Sequence, residues 1–135
     1  MTFVIDASVT LAWCFDDEAT TDTEGILDQL RTEPAVVPAS WQLEVSNVLL
    51  VAERRRRISE AQAARFLELL VHLPISVDAT PTDLTAVLAA GRRHHLSAYD
   101  AVYLVLAERL AAPLGTLDSK LATACRAAGV RLMVE

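Results

Sequence analysis

The amino-acid sequence predicts an α/β fold, with helices on both faces of a central, mostly parallel five-stranded sheet. Short apolar, β-branched runs alternate with longer helical patterns along all 135 residues. The short runs are mostly apolar, as parallel strands buried on both faces are. No Ser/Gly-rich linker or repeat interrupts this alternation. We therefore expect a single domain over residues 1–135.

The positions of the elements follow from the apolar runs and from the residues that flank them. Strands are expected at residues 3–6, 35–37, 75–77, 114–116 and 130–134. Helices are expected at 9–15, 23–31, 41–56, 60–73, 81–94, 98–111 and 119–128. Ser59 and Gln62 form a capping-box pattern, and Ser97 precedes the sixth helix as a cap. Thr80 before Pro81 predicts a cap with proline at the first helical position.

Composition excludes several classes of protein. With 53% hydrophobic residues the chain is too apolar for a disordered tail, and no apolar run approaches the ~18 residues of a membrane span. The N-terminus has no basic region before Asp6, so no secretory signal is expected and the cytoplasm is the expected location. Cys14 and Cys125 stand alone in apolar patterns, which favours small core residues over a zinc site or disulfide.

The charge is acidic overall but unevenly distributed. The formal charge is -6, and without the run Arg54-Arg55-Arg56-Arg57 it would be -10 (8 basic minus 18 acidic). This run follows a long helix, so a solvated helix end explains it first, and contact with RNA phosphates is the alternative. Lys120 is a second candidate phosphate contact, for which plain surface charge is the simpler explanation.

Two aspartates follow predicted strands. Asp6 comes directly after an apolar run, and Asp118 lies shortly after the fourth strand. In a parallel α/β sheet the carboxyl ends of the strands are where active sites lie. Each aspartate could instead be an ordinary helix N-cap, and for Asp118 alone the cap is the simpler interpretation.

Two further acids lie on apolar helices. Glu44 falls between Trp41 and Val48 at helical spacing, so it is expected to face inward or to border a cleft. A buried carboxylate needs a cation or a basic partner, and the alternative is a rim residue paired with arginine. Asp100 lies in the first turn of a helix that is apolar on all sides, where it could equally interact with the helix dipole.

Four acids brought together without basic neighbours would repel each other unless a cation neutralised them. Mg²⁺ or Mn²⁺ suits such a site, because hard divalent ions take oxygen ligands and keep several waters. One or two such ions can promote phosphodiester hydrolysis. Ser8 and Thr116, each two residues from a strand-end aspartate, could orient the carboxylates, or they could be local turn and cap hydroxyls.

Four segments carry a resemblance to a known family: Val4-Ile5-Asp6-Ala7-Ser8, Glu44 in its apolar helix, Leu96-Ser97-Ala98-Tyr99-Asp100-Ala101, and Thr116-Leu117-Asp118-Ser119-Lys120-Leu121. In this order the chain resembles a PIN-domain ribonuclease, specifically the VapC-type toxin of bacterial toxin-antitoxin pairs. The resemblance covers essentially the whole chain in length, motif order and strand-helix alternation. Each motif alone is weak, and the ordered combination is fairly specific.

The resemblance implies a PIN-like three-layer α/β/α sandwich and a metal-dependent endoribonuclease with Mg²⁺ or Mn²⁺ as its cofactor. The acidic quartet of the family is matched by Asp6, Glu44, Asp100 and Asp118. Ser8 and Thr116 match the hydroxyls of its first and last motifs. A homodimer, a cognate VapB-type antitoxin and a structured RNA substrate, commonly transfer or ribosomal RNA, are also implied.

Two other functions compete with the nuclease. The aspartate after the first strand is similar to the nucleophile of haloacid dehalogenase-type phosphatases, but Ser8 stands where those enzymes carry a second aspartate. A non-catalytic module that binds RNA or protein is the other alternative, with the acids acting as helix caps. That alternative predicts no stabilisation by divalent metal.

Overall fold

The computed structural model describes residues 1–134 and shows a parallel sheet flanked by helices. Its four strands are β1 (Phe3–Ile5), β2 (Ala35–Val37), β3 (Ile75–Val77) and β4 (Leu114–Gly115). They lie in the order β3-β2-β1-β4 and every pair is parallel. Val4 pairs with Val36 on one side and with Leu114 on the other. The predicted α/β fold class is therefore confirmed.

Seven helices connect and flank the strands in the described residues. They are α1 (Ala7–Ala12), α2 (Thr21–Gln29), α3 (Ser40–Arg54), α4 (Glu60–His72), α5 (Leu84–His94), α6 (Ala98–Leu110) and α7 (Ser119–Ala128). Capping residues set several of their starts. Ser59 and Gln62 form the predicted capping box, and Ser97 caps α6 by accepting from the backbone N of Asp100 at 3.2 Å. Both caps are confirmed.

The centre of the sheet determines where a site can form. All three residues of β1 are fully buried, as expected for a strand that is covered on both faces. From β1 the chain builds outward through β2 to β3, and then returns to place β4 on the other side of β1. The order therefore reverses between β1 and β4. In open α/β sheets the crevice outside the carboxyl ends at such a point is where ligands bind.

The predicted fifth strand is wrong. Residues 130–134 form only an isolated bridge, in which Leu132 pairs with Leu114. The backbone of Leu114 exchanges two hydrogen bonds of 2.9 Å with this segment, from its N to Arg131 O and from Met133 N to its O. Because β4 is only two residues long, it provides too few backbone partners for residues 130–134 to form a strand beside it.

Some predicted helix boundaries are also wrong. The fifth helix begins at Leu84 and not at Pro81, because the side chain of Asp83 accepts a hydrogen bond of 3.0 Å from the backbone N of Ala86 and caps the helix there. Thr80 and Pro81 lie in the preceding exposed loop. The first helix begins at Ala7, directly after Asp6, and is shorter than predicted at its C-terminal end.

Two smaller expectations concern the cysteines and the membrane. Cys125 is buried in the hydrophobic core and Cys14 is half-buried against it, and both thiols are free. Burial raises the pKa of the Cys125 thiol to about 11, so it remains protonated and unreactive at neutral pH. Within residues 1–134, no helix has both the length and the apolar character needed to cross a membrane.

Candidate active site

Asp6 lies at the carboxyl end of the central strand and is only 5% exposed. It caps α1, because its Oδ1 accepts from the backbone N of Val9 at 3.1 Å and from the hydroxyl of Ser8 at 2.6 Å. Its Oδ2 accepts from the hydroxyl of Thr116. A carboxylate has roughly four lone-pair sites, and these neutral donors occupy three of them. The side chain is therefore oriented without being neutralised.

Ser8 and Thr116 connect the turn after β1 to the turn after β4. Each hydroxyl donates to Asp6 and accepts one backbone hydrogen bond from the turn after β4, so Ser8 crosses between the turns as an acceptor and Thr116 crosses as a donor. Ser8 Oγ accepts from the N of Leu117 at 3.0 Å, and Thr116 Oγ1 accepts from the N of Asp118 at 3.0 Å. The two hydroxyls thus act between chain segments and are more than local caps.

Glu44 lies in the second turn of α3 and is half-buried. The buried side of α3 consists of Trp41, Val45, Leu49 and Ala52. Val48 was expected on the same apolar stripe, but it is 36% exposed, so Glu44 lies at the edge of that stripe. Its partner is Tyr103, whose hydroxyl donates to Glu44 Oε1 at 2.9 Å. Glu44 therefore has the rim position of the alternative interpretation, but its partner is tyrosine and not arginine.

Asp100 and Asp118 lie at the starts of α6 and α7. Asp100 is half-buried in the first turn of α6. Asp118 caps α7, with its Oδ1 accepting from the backbone N of Lys120 at 2.8 Å and of Leu121 at 3.0 Å. Two of the four predicted acids, Asp6 and Asp118, are therefore helix caps in fact. In both residues the capping hydrogen bonds go to Oδ1 only, so helix capping does not exclude a role in binding a ligand.

The four acids influence one another electrostatically. Burial raises the pKa of Asp6, and the charge of Asp100 raises it further, while its hydrogen bonds oppose the increase. Burial is also the main cause of the raised pKa of Glu44, to which the charges of Asp6 and Asp100 add. The pKa of Asp100 is raised by burial and by Asp118, and Lys120 partly opposes this. The structure thus brings the four carboxylates into one mutually repelling group.

The ion pairs of the described residues lie elsewhere. They connect Arg31 with Asp28, Arg57 with Asp17 and Glu18, and Arg109 with Asp78. None of them includes a member of the acidic group. Burial and repulsion both disfavour ionised carboxylates, so a cation bound among them would stabilise their ionised forms.

Whether the acidic group can hold a divalent ion depends on the arrangement of its side chains and on their donor atoms. As they stand, no three His, Cys, Asp or Glu side chains in residues 1–134 are arranged to hold a metal ion. The donors themselves are suitable, because they are all carboxylate oxygens and none of them forms an ion pair with arginine in the described residues. Mg²⁺ is usually held by only one or two carboxylates and completes its shell with water and phosphate oxygens. The group fits such an ion, although it is not a preformed cage.

The arginine run is not brought to the acids. Arg54 ends α3, ten residues after Glu44, which corresponds to about 15 Å along a helix axis. Arg57 forms ion pairs with Asp17 and Glu18 at 2.7 and 2.8 Å, and its guanidinium lies 3.8 Å from the centre of the Phe15 ring. Arg57 is thus engaged within the protein, whereas Arg54, Arg55 and Arg56 are exposed.

Tyr103 is the residue at this site that the sequence analysis missed, since it was counted only as part of an apolar helix. A signal was available. The helix has one hydroxyl among buried apolar side chains, and a buried tyrosine hydroxyl usually finds a hydrogen-bond partner. Its position three residues after Asp100 places it one turn further along the same side of α6.

Comparison with known proteins agrees with the fold. The PIN domain family model matches residues 3–127, and the chain belongs to the PIN domain family. It is 31% identical over 124 residues to ribonuclease VapC3 of Pyrobaculum aerophilum, covering 90% of this chain and 93% of that protein. The crystal structure of PAE2754 from Pyrobaculum aerophilum has a TM-score of 0.72 and 22% identity, covering 92% of this chain and 84% of that one.

Family membership bears on the chemistry in two ways. Nucleases of the PIN domain family generally use divalent metal ions, which agrees with the charge of the acidic group. The phosphatase alternative loses its basis, because the hydroxyl of Ser8 binds Asp6 and no second carboxylate stands at that position.

Proposed function

We propose that this protein is a toxin-type endoribonuclease that depends on Mg²⁺ or Mn²⁺, with Asp6, Glu44, Asp100 and Asp118 as its metal-binding and catalytic acids. One observation carries the proposal. Asp6 and Asp118 follow the two strands between which the sheet order reverses, and charges of neighbouring acids raise the pKa of Asp6, Glu44 and Asp100, in a chain similar to a protein named as a ribonuclease. Such a group gains most from a divalent cation, and a cation bound there is suited to an anionic phosphodiester.

Different residues of the chain would orient the acids and hold a proton during hydrolysis. In the reaction a water oxygen attacks phosphorus and loses a proton, while the bond to the leaving ribose oxygen breaks and that oxygen gains a proton. A bound Mg²⁺ or Mn²⁺ would lower the pKa of the attacking water and neutralise charge on the phosphate. Ser8 and Thr116 keep Asp6 in one orientation. Glu44, whose pKa burial raises, can hold a proton on the carboxylate oxygen that Tyr103 does not bind.

The proposal also names partners. We propose a structured RNA as substrate, such as a loop of transfer or ribosomal RNA, and a VapB-type antitoxin as inhibitor in a cytoplasmic toxin-antitoxin pair. A homodimer is part of the proposal on the same resemblance. Exposed Arg54, Arg55 and Arg56, together with Lys120, are the proposed phosphate contacts. Arg57 leaves that set because its guanidinium is engaged by Asp17 and Glu18.

The direct test is cleavage of total RNA by the purified protein. Reactions with Mn²⁺, with EDTA and with Asp6→Asn would be compared, and the new 5′ ends would be mapped. We expect discrete cuts with Mn²⁺ that disappear in EDTA and in the variant. The control is Asp83→Asn, because Asp83 is a helix-capping aspartate at the start of α5, outside the acidic group. Cuts that persist in EDTA or in Asp6→Asn would contradict the proposal.

A non-catalytic binding module is the second candidate, and a specific observation favours it. Asp6 and Asp118 do cap helices, and no three side chains in the described part of the chain form a ready metal cage. This alternative predicts a folded protein that binds RNA or protein, cleaves nothing and gains no thermal stability from Mn²⁺. RNA cleavage and thermal stability with Mn²⁺, measured on the same preparation, therefore distinguish the two candidate functions.

A further inference from the structure

Tyr103 connects two helices that carry proposed acids. It lies on α6, one turn after Asp100, and its hydroxyl donates to Oε1 of Glu44 on α3 at 2.9 Å. One phenol group therefore joins α6 and α3, although Tyr103 and Glu44 are 59 residues apart in the chain.

Core packing fixes the ring of Tyr103, and its hydrogen bond in turn holds the more exposed side chain of Glu44. Tyr103 is only 1% exposed and belongs to the hydrophobic core. Side chains in a close-packed interior occupy defined rotamers, so core packing sets the position of the hydroxyl. Glu44 is half-buried and has a long side chain, whose freedom must be restricted before it can serve a reaction. A rigid donor that binds one of its oxygens supplies that restriction in advance.

We propose that Tyr103 is a positioning residue for Glu44 in RNA cleavage, an inference that rests on the function proposed above. Its hydroxyl holds Oε1 and leaves Oε2 as the oxygen for a divalent ion or a proton. Groups that orient a ligand carboxylate in this way typically contribute about 10–100-fold to metal affinity or activity.

The chemistry of the hydroxyl favours a positioning role for Tyr103 over a hydrogen bond that only satisfies a buried polar group. A neutral hydroxyl orients Glu44 without cancelling its negative charge, whereas an arginine at the same place would neutralise it. A phenol hydroxyl is un-ionised at neutral pH, and it donates to Glu44 Oε1 at 2.9 Å. The orienting contact and the free charge can thus coexist.

The test uses Tyr103→Phe, Glu44→Asp and the double variant. Two quantities are measured for each: the Mn²⁺ concentration for half-maximal RNA cleavage, and the concentration for half of the Mn²⁺-dependent rise in Tm. The second does not depend on activity. We expect Tyr103→Phe to raise both midpoints about tenfold. Glu44→Asp keeps the charge but withdraws the carboxylate from both Tyr103 and the ion, so it should raise the midpoints at least as much, and the double variant should be no worse than Glu44→Asp alone.

Tyr99→Phe is the matched control, since it makes the same chemical change one turn earlier on α6 at a residue that is 68% exposed. It should retain both wild-type midpoints. A purely structural role for Tyr103 would lower Tm without moving either midpoint, and its effect would multiply with that of Glu44→Asp. That pattern would overturn the inference.

The outcomes also separate this inference from the proposed function. If the wild type shows neither Mn²⁺-dependent cleavage nor a Mn²⁺-dependent Tm rise, both proposals are wrong. If the wild type shows both and Tyr103→Phe leaves the midpoints unchanged, only the role of Tyr103 is wrong. Should Tyr103→Phe fail to fold, Glu44→Asp still decides, because wild-type midpoints in that variant would show that the hydrogen bond positions nothing.

Discussion

The hydroxyl of Thr116 donates a hydrogen bond to Oδ2 of Asp6, although the two residues are 110 positions apart in the chain. Its oxygen also accepts from the backbone N of Asp118 at 3.0 Å, so one side chain connects the acids that follow β1 and β4. A donor to a carboxylate favours the ionised form. Thr116 therefore opposes the increase that burial causes in the pKa of Asp6.

Thr116→Val should impair both activity and stability. Valine has nearly the same shape but no hydroxyl, so a buried oxygen of Asp6 and the backbone N of Asp118 lose their partner. We expect cleavage to slow about tenfold or more and the free energy of unfolding to fall by about 1–3 kcal/mol. RNA cleavage with Mn²⁺ and urea denaturation measure the two effects.

The control for this variant is Thr123→Val at an exposed position of α7, where the hydroxyl donates at 2.9 Å to the carbonyl of Ser119 in the same helix. It should leave both quantities close to those of the wild type. A Thr116→Val protein that cleaves RNA at the wild-type rate would show that Asp6 does not need this contact.

Asp118→Asn separates the two roles of this residue. Asparagine caps helices about as well as aspartate, so the Tm in EDTA should stay close to that of the wild type. The Tm rise with Mn²⁺ should shrink, because an ion that binds the folded state stabilises it by RT ln(1+[L]/Kd) and the ion loses a charged ligand. Differential scanning fluorimetry with and without Mn²⁺ measures both.

Asp83→Asn is the matched control, since Asp83 also caps a helix through its Oδ1, 3.0 Å from the backbone N of Ala86. It should retain the full Mn²⁺-dependent rise. An equal rise in Asp118→Asn and the wild type would mean that Asp118 is a helix cap and nothing more.

The stability of the metal-free protein should depend on pH in a direction set by the acidic group. Asp6, Glu44 and Asp100 all have raised pKa values in the fold. They therefore bind more protons in the folded than in the unfolded state, and the free energy of unfolding falls as pH rises through the raised values. In EDTA we expect this decline to start from about pH 4, where carboxyl groups of unfolded chains titrate.

Glu44→Gln should make that decline shallower. It removes one of the three groups and also one negative charge that acts next to Asp6 and Asp100. Urea denaturation at a series of pH values measures the slope. Exposed Glu68 on α4 offers the control, and Glu68→Gln should retain the wild-type slope. If stability in EDTA rises with pH over this range, the carboxylates are not repelling each other as the structure indicates.

The arginines after α3 should differ in their effect on RNA binding. Each phosphate contact contributes about 0.7–0.9 to the slope of log K against log salt. Arg54→Ala should lower the slope by that amount, measured with labelled RNA in EDTA and in an Asp6→Asn background that does not cleave. Arg57→Ala should leave the slope unchanged and instead make residues 16–20 easier to cleave by protease, because it releases Asp17 and Glu18. An unchanged slope in Arg54→Ala would remove that residue from the RNA contacts.

Local patterns in the sequence were sufficient for the fold class and most of the elements. Apolar runs and caps such as Ser59 and Ser97 act within a few residues, so they can be interpreted without the fold. The errors arose where two local signals competed or where pairing depended on a distant partner. Pro81 was a reasonable helix start until Asp83 proved to be the cap. The strand at 130–134 required a longer partner than β4 provides.

For the candidate site, the sequence by itself determined which acids follow strands or lie on apolar helices. Only the tertiary structure decided how they are held. The bond from Tyr103 to Glu44 spans 59 residues and that from Thr116 to Asp6 spans 110, and no local pattern encodes such pairs. The first bond forms because α3 and α6 pack into the same hydrophobic core. The second forms because β4 pairs with β1. The chemistry of the residues is local, whereas their orientation and their charge depend on the fold.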